Sequence, residues 1–150
     1  GKGAYVIKNY SPKYKKQGVI IVRGTSSTDS IIKLLKKIRS KGPNVKIIAA
    51  ISWELFKRQT QEYRESVISS KEWHDAMIIT NSSIKLMTNW ISNPTVKKYS
   101  VSPDFDNKWR TGGSVEQIIA DSQLDSNSLL KSINRFAADR KQRLESIGYI

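Results

Sequence analysis

VKIIAAI-SWELFKRQTQEYRESVI, residues 45–68, is the stretch on which the fold turns. Its first seven residues are almost continuously apolar and rich in β-branched side chains, the composition of a strand covered on both faces in an α/β sheet. Polar punctuation follows at Ser52. That serine can cap a short helix in which Glu54 sits near the positive end while Trp53, Leu55 and Phe56 supply apolar anchors. A second short helix is predicted over residues 61–67.

Upstream, residues 27–41 gather Ile31, Ile32, Leu34, Leu35 and Ile38 at helical spacing, with Lys33, Lys36, Lys37 and Arg39 opposite or alongside. Thr25 to Asp29 mark the helix start by capping, and Gly42-Pro43 mark its end. Residues 19–22 form the strand before it. A right-handed crossover then makes 19–22 and 45–51 parallel neighbours, the unit of a doubly wound sheet. Residues 11–17, charged and carrying Pro12, read as an exposed, mobile loop.

Downstream, residues 76–80 (AMIIT) read as a fourth strand, 83–90 as a short helix and 96–101 as a fifth strand. Ser69 and Glu72 fit a capping box, but strand-like residues follow so soon that the signal is discounted. Ser114 to Gln117 is a better capping box, opening a helix after Gly112-Gly113. From about Ser126 one long helix is expected, its stripe of Leu129, Leu130, Ile133, Phe136, Ala137, Leu144 and Ile147 interrupted by Arg140 and terminated at Gly148.

The chain has 150 residues, the size of one domain, so residues 1–150 are read as a single unit. The lack of cysteine excludes disulfides and thiolate chemistry and suits a reducing compartment, with the cytoplasm expected. No run approaches a membrane span, and the first residues lack a signal peptide's apolar core. Strand-like residues follow Gly1 at once, as in a fragment of a longer chain. The net charge is +13, and it is unevenly spread: residues 1–46 carry twelve Lys or Arg and one Asp, the remainder fourteen and twelve. That asymmetry raises nucleic acid or another polyanion as a partner for a stand-alone basic module, yet the interleaved Tyr5, Tyr10 and Tyr14 complete no RNA-binding motif.

Chemistry-bearing constellations are few. His74 is the one histidine, so no zinc tetrad of His and Cys can form; Ser70, His74 and Asp75 are close in sequence, but a surface histidine is the favoured reading. Asp104 and Asp106 suit an Asx-type turn better than a metal loop. The Arg23-Gly24-Thr25-Ser26-Ser27 turn lacks the phosphate-binding fingerprints, and plain helix capping is favoured. Lys108, Arg110, Gly112, Gly113 and Ser114 combine two cations with a glycine turn and a helix start, so a sulfate or sugar phosphate could rest there; a structural turn is the alternative. Trp53, Trp73, Trp90 and Trp109 read as core or interface anchors.

The strand followed by Ser-Trp-Glu-Leu-Phe and then Tyr63-Arg64-Glu65-Ser66-Val67 resembles the third, C-terminal domain of transketolase. Residues 3–7 are similar to that domain's opening strand and residues 19–25 to its second strand and glycine turn, whereas residues 74–93 depart from the family's glycine-containing pattern. The resemblance implies a three-layer α/β/α fold around a five-stranded, mixed but mostly parallel sheet, the first strand antiparallel to the rest. It implies a non-catalytic domain with no cofactor or metal of its own. Thiamine diphosphate and Mg2+ would belong to the two preceding domains of the parent enzyme, which moves a two-carbon ketol unit between sugar phosphates. Those domains and a second subunit of a homodimer would be its partners. Related thiamine enzymes share this last domain, and the two quoted motifs favour transketolase among them.

Overall fold

β3, Lys46–Ala50, is buried at every position and takes a neighbour on each side. β2, Val19–Arg23, pairs with it in parallel, and β1, Ala4–Lys8, pairs with its other edge antiparallel. β4, Ala76–Thr80, lies parallel to β2 and completes the order β1-β3-β2-β4. The computed structural model describes residues 1–104 and 124–150.

Both faces of this sheet are covered, which is why its strands read as apolar runs rather than alternating ones. On one face Ile20, Val22, Ile47, Met77 and Ile79 pack against α1, Thr25–Lys41, and α6, Ser126–Ala138. On the other, Val19, Ile21, Ile48 and Ile78 meet four short helices and a 3-10 turn. These are α2, Trp53–Lys57; α3, Gln61–Val67; α4, Ser70–His74; the 3-10 turn Ile84–Trp90; and α5, Pro94–Tyr99. The chain closes with α7, Arg140–Ser146. The expected three-layer α/β/α class and the antiparallel first strand therefore stand.

The 45–68 stretch locks the N-terminal strand to the second layer. Ser52 accepts the Leu55 N–H at its side chain, and Thr60 accepts that of Tyr63, so each short helix has its own cap. The Gly3 carbonyl accepts N–H groups from both Ile51 and Ser52. A Cβ on Gly3, whose φ is +87°, would lie 2.4 Å from the Phe56 nitrogen and the Ser52 oxygen, so only glycine permits this approach. Trp53, Phe56, Trp73 and Trp90 form one aromatic cluster, with Trp53 and Trp90 centroids 5.2 Å apart and edge-on. Leu55, expected as an anchor, is instead exposed.

Several expectations are corrected. Four strands form rather than five among the described residues. Residues 96–101 do not make the fifth: Asn93 accepts from the Thr95 and Val96 N–H groups and Pro94 opens a helix, so only Val101 reaches the sheet, bridging Ile79 in parallel. The discounted capping box at Ser69 and Glu72 is present in both directions and opens α4, a helix of only five residues. Ile32 is exposed because helical rotation carries it past the apolar stripe of Ile31, Leu34 and Ile38. The loop 11–17 is tied down by Asn44, whose amide oxygen accepts from Ser11 N–H and whose nitrogen donates to the Ser11 and Tyr14 carbonyls. The long final helix breaks at Asp139, which ends α6 and begins α7. Gly148, with φ +79°, terminates α7 as expected, donating to the Glu145 carbonyl while Tyr149 donates to that of Leu144. The helix expected from Ser114 lies outside the described residues.

Candidate functional site

At the end of the sheet where β2, β3 and β4 begin, the chain buries charge. Gln17 N–H donates to the Asn44 carbonyl, Lys46 N–H to that of Gly18, and Val19 N–H to that of Asp75, which stitches the three strand entries together. Asp75, 4% exposed, accepts from Arg140 Nε at Oδ2 and from Arg143 Nη1 at Oδ1, both at 2.8 Å. Arg143 also donates to the carbonyls of Phe136 and Gln17 and lies 3.7 Å above the Phe136 ring centroid. The bend at Asp139 starts the short helix that carries both arginines. Burial pulls the Arg143 pKa below its ordinary value while Asp75 opposes the shift.

A second pair sits beside the first. Lys46 Nζ is 3.1 Å from both oxygens of Glu72, and Oε1 of that glutamate also closes the α4 capping box by accepting the Ser69 N–H. Burial raises the Tyr10 pKa, with Asp75 and Glu72 adding to the effect. Above these groups opens a cavity of about 1010 Å³, bounded by Lys15, Lys16, Lys71, Arg140 and Lys141 and by an apolar wall that includes Leu144 and Tyr149.

The geometry bears on two earlier constellations, Ser70-His74-Asp75 and Asp104. Ser70, His74 and Asp75 make no triad, since both carboxylate oxygens of Asp75 are taken by arginines and His74 Nδ1 lies 3.4 Å from Asn93 Nδ2. His74 is half-buried rather than a surface residue, its ring 5.3 Å from that of Tyr149. Asp104 accepts from Ser83 Oγ, Ser102 Oγ and Ile84 N–H, as a turn residue does. Burial pushes its carboxyl up, but these hydrogen bonds outweigh that and hold it below the usual carboxylate range. No group of three His, Cys, Asp or Glu able to hold a metal occurs among the described residues.

At the opposite end of the sheet, the Arg23 to Ser27 turn corrects the capping expectation. Gly24 itself occupies the N-cap position of α1 with φ 98°, and no side chain caps the helix; Thr28 Oγ1 instead donates back to the Gly24 carbonyl. Asn81 Nδ2 donates to Ser26 Oγ across the turn, and a Cβ at Gly24 would strike Asn81. The predicted anion site, Lys108, Arg110, Gly112, Gly113 and Ser114, lies outside the described residues, as do Asp106 and Trp109. Sequence reasoning missed the Asp75, Arg140 and Arg143 cluster. Its one visible sign was Arg140 breaking an otherwise apolar stripe.

Residues 3–101 match the family described as the transketolase-like TK C-terminal domain. The chain is 34% identical over 71 residues to transketolase 10 of Craterostigma plantagineum, covering 47% of this chain and 10% of that protein. To the chloroplastic transketolase of Zea mays it is 40% identical over 68 residues, 45% of this chain and 10% of that one. Among solved structures, transketolase from Leishmania mexicana superposes with a TM-score of 0.69 over 93% of this chain and 18% of its own, at 14% identity. The Pichia stipitis transketolase complex with sedoheptulose-7-phosphate gives 0.65 over 94% and 19%, at 16% identity.

The α/β/α fold shared with those structures and the family match over residues 3–101 together define a transketolase-type C-terminal domain. The chain belongs to that family. It spans about a tenth of the length of the curated relatives it matches.

Proposed function

We propose that the chain serves as the C-terminal structural and subunit-contact domain of a transketolase. The observation that carries this reading is the family match over residues 3–101, whose most recognisable segment holds the first strand to the second layer through Gly3, Ser52 and Tyr63. The parent reaction is thiamine-diphosphate-dependent transfer of a two-carbon ketol unit between sugar phosphates. Solved relatives named as complexes with sedoheptulose-7-phosphate, xylulose-5-phosphate and fructose-6-phosphate support sugar phosphates as the substrate class. Thiamine diphosphate and Mg2+ are assigned to preceding domains, and a second subunit to the assembly. For the compartment we favour the cytoplasm, on the absence of cysteine, although several relatives are chloroplastic.

Co-expression with a chain carrying the two preceding transketolase domains tests this reading. Co-elution of the two as one complex with restored dimerisation is the expected result. A chain that stays separate at ~10 µM, where a contact of about −7 kcal/mol would be half-formed, would refute a subunit-contact role. No observation favours the nucleic-acid alternative.

A further inference from the structure

We propose that the cavity where the parallel strands begin binds a small anion bearing two or more phosphate-type groups, gripped by Arg140 together with Lys15, Lys16 and Lys71. Its volume of about 1010 Å³ is ample for a sugar bisphosphate or a nucleotide. Beside the terminal carboxylate that the 150-residue chain carries at Ile150, five cationic side chains bound it against two side-chain carboxylates, Glu72 and Asp75. Both carboxylates are already matched, one by Lys46 and the other by Arg140 and Arg143, so they do not cancel the field of the lysines. Lys15 and Lys71 form no ion pair among the described residues, whereas Lys141 has Glu145 at 4.0 Å.

Arg140 is the built part of the site. Asp75 holds it through Nε alone at 2.8 Å, and its terminal nitrogens have no partner among the described residues. A guanidinium fixed in this way presents its remaining edge for bidentate contact with a phosphate, at little entropic cost. Asp75 is thus a positioning residue rather than a contact. Lys15 and Lys16 come from the loop that Asn44 clamps, so their backbone is also fixed. Leu144 and Tyr149 line the same cavity and suit the carbon portion of the ligand.

This inference does not depend on the transketolase reading, and calorimetry on the 150-residue chain tests it with inorganic pyrophosphate and with ATP at ~0.15 M salt, where long-range attraction is screened. One saturable site per chain is expected. The Lys15→Ala/Lys71→Ala pair should weaken it about tenfold or more, a loss of the size expected for charge-assisted contacts. Lys36→Ala/Lys37→Ala removes the same charge from the exposed face of α1 and should change it no more than about twofold. Tighter binding of ATP than of pyrophosphate would place the nucleoside on the apolar wall; equal binding would support phosphate recognition alone. Equal losses in the two variants, several weak sites, or no saturation by either probe would overturn the proposal.

Discussion

Arg143 Nη1 donates to Asp75 Oδ1 across 68 residues of sequence, with side-chain exposures of only 1% and 6%. Each needs the other, because a buried charge without its partner retains its full desolvation cost. Asp75→Ala, which strands Arg143 in the core, should therefore destabilise the chain by about 3–5 kcal/mol in urea denaturation. Replacing both together, Asp75→Leu with Arg143→Met, should recover part of that loss; a double variant worse than the single one would show that the pair stabilises on its own account.

Tyr63 donates its hydroxyl hydrogen to the Ala4 carbonyl at 2.8 Å, and Gly3 touches the start of α2. Tyr63→Phe should cost roughly 1 kcal/mol, the net worth of one hydrogen bond. Gly3→Ala should cost more, since it adds about 1–2 kcal/mol of left-handed strain to a backbone clash. Chemical denaturation curves of the two variants give the ranking, and a milder effect for Gly3→Ala would contradict the close approach.

Asn44 should control the loop that carries Lys15 and Lys16. Asn44→Ala leaves Ser11 N–H and three carbonyls, those of Ser11, Tyr14 and Lys15, without their side-chain partner. Hydrogen exchange at residues 11–17 should accelerate by about tenfold or more, as expected when opening becomes easier by ~1.4 kcal/mol. Exchange unchanged from the parent chain would mean that the loop is held by other contacts.

Asp125 caps α6, accepting the Ser128 N–H at 3.2 Å. The Ser128 hydrogen bonds hold its carboxyl below the usual value of 3.8, so its contribution is complete above that pH and fades as the pH falls through the lower folded-state value. Asp125→Ala should cost about 1 kcal/mol at pH 7, with the gap from the parent chain narrowing below about pH 3.9. A gap that stays constant into acid would rule out an ionised cap.

The strands were legible because burial on both faces leaves an apolar run that polar punctuation cannot disguise, as at Ile47, Ile48 and Ile78, all fully buried. The first short helix was legible through its cap at Ser52, whereas the Thr60 cap of the second emerged only from the structure. Residues 96–101 misled because Val96 and Val101 look like strand residues, while the decisive signal, Asn93 followed by Pro94, sits just upstream. Charge burial was the least legible feature. Asp75, Arg140 and Arg143 are brought together only by tertiary packing, and beyond Arg140's break in the apolar stripe no local pattern marks Arg143 as buried.

Ketol transfer by the 150-residue chain alone, supplied with thiamine diphosphate, Mg2+, xylulose 5-phosphate and an aldose phosphate acceptor, is the most direct test of a non-reacting domain. The rate should equal that of the mixture without protein. Turnover above that background, lost on removal of the cofactor, would contradict a purely structural role.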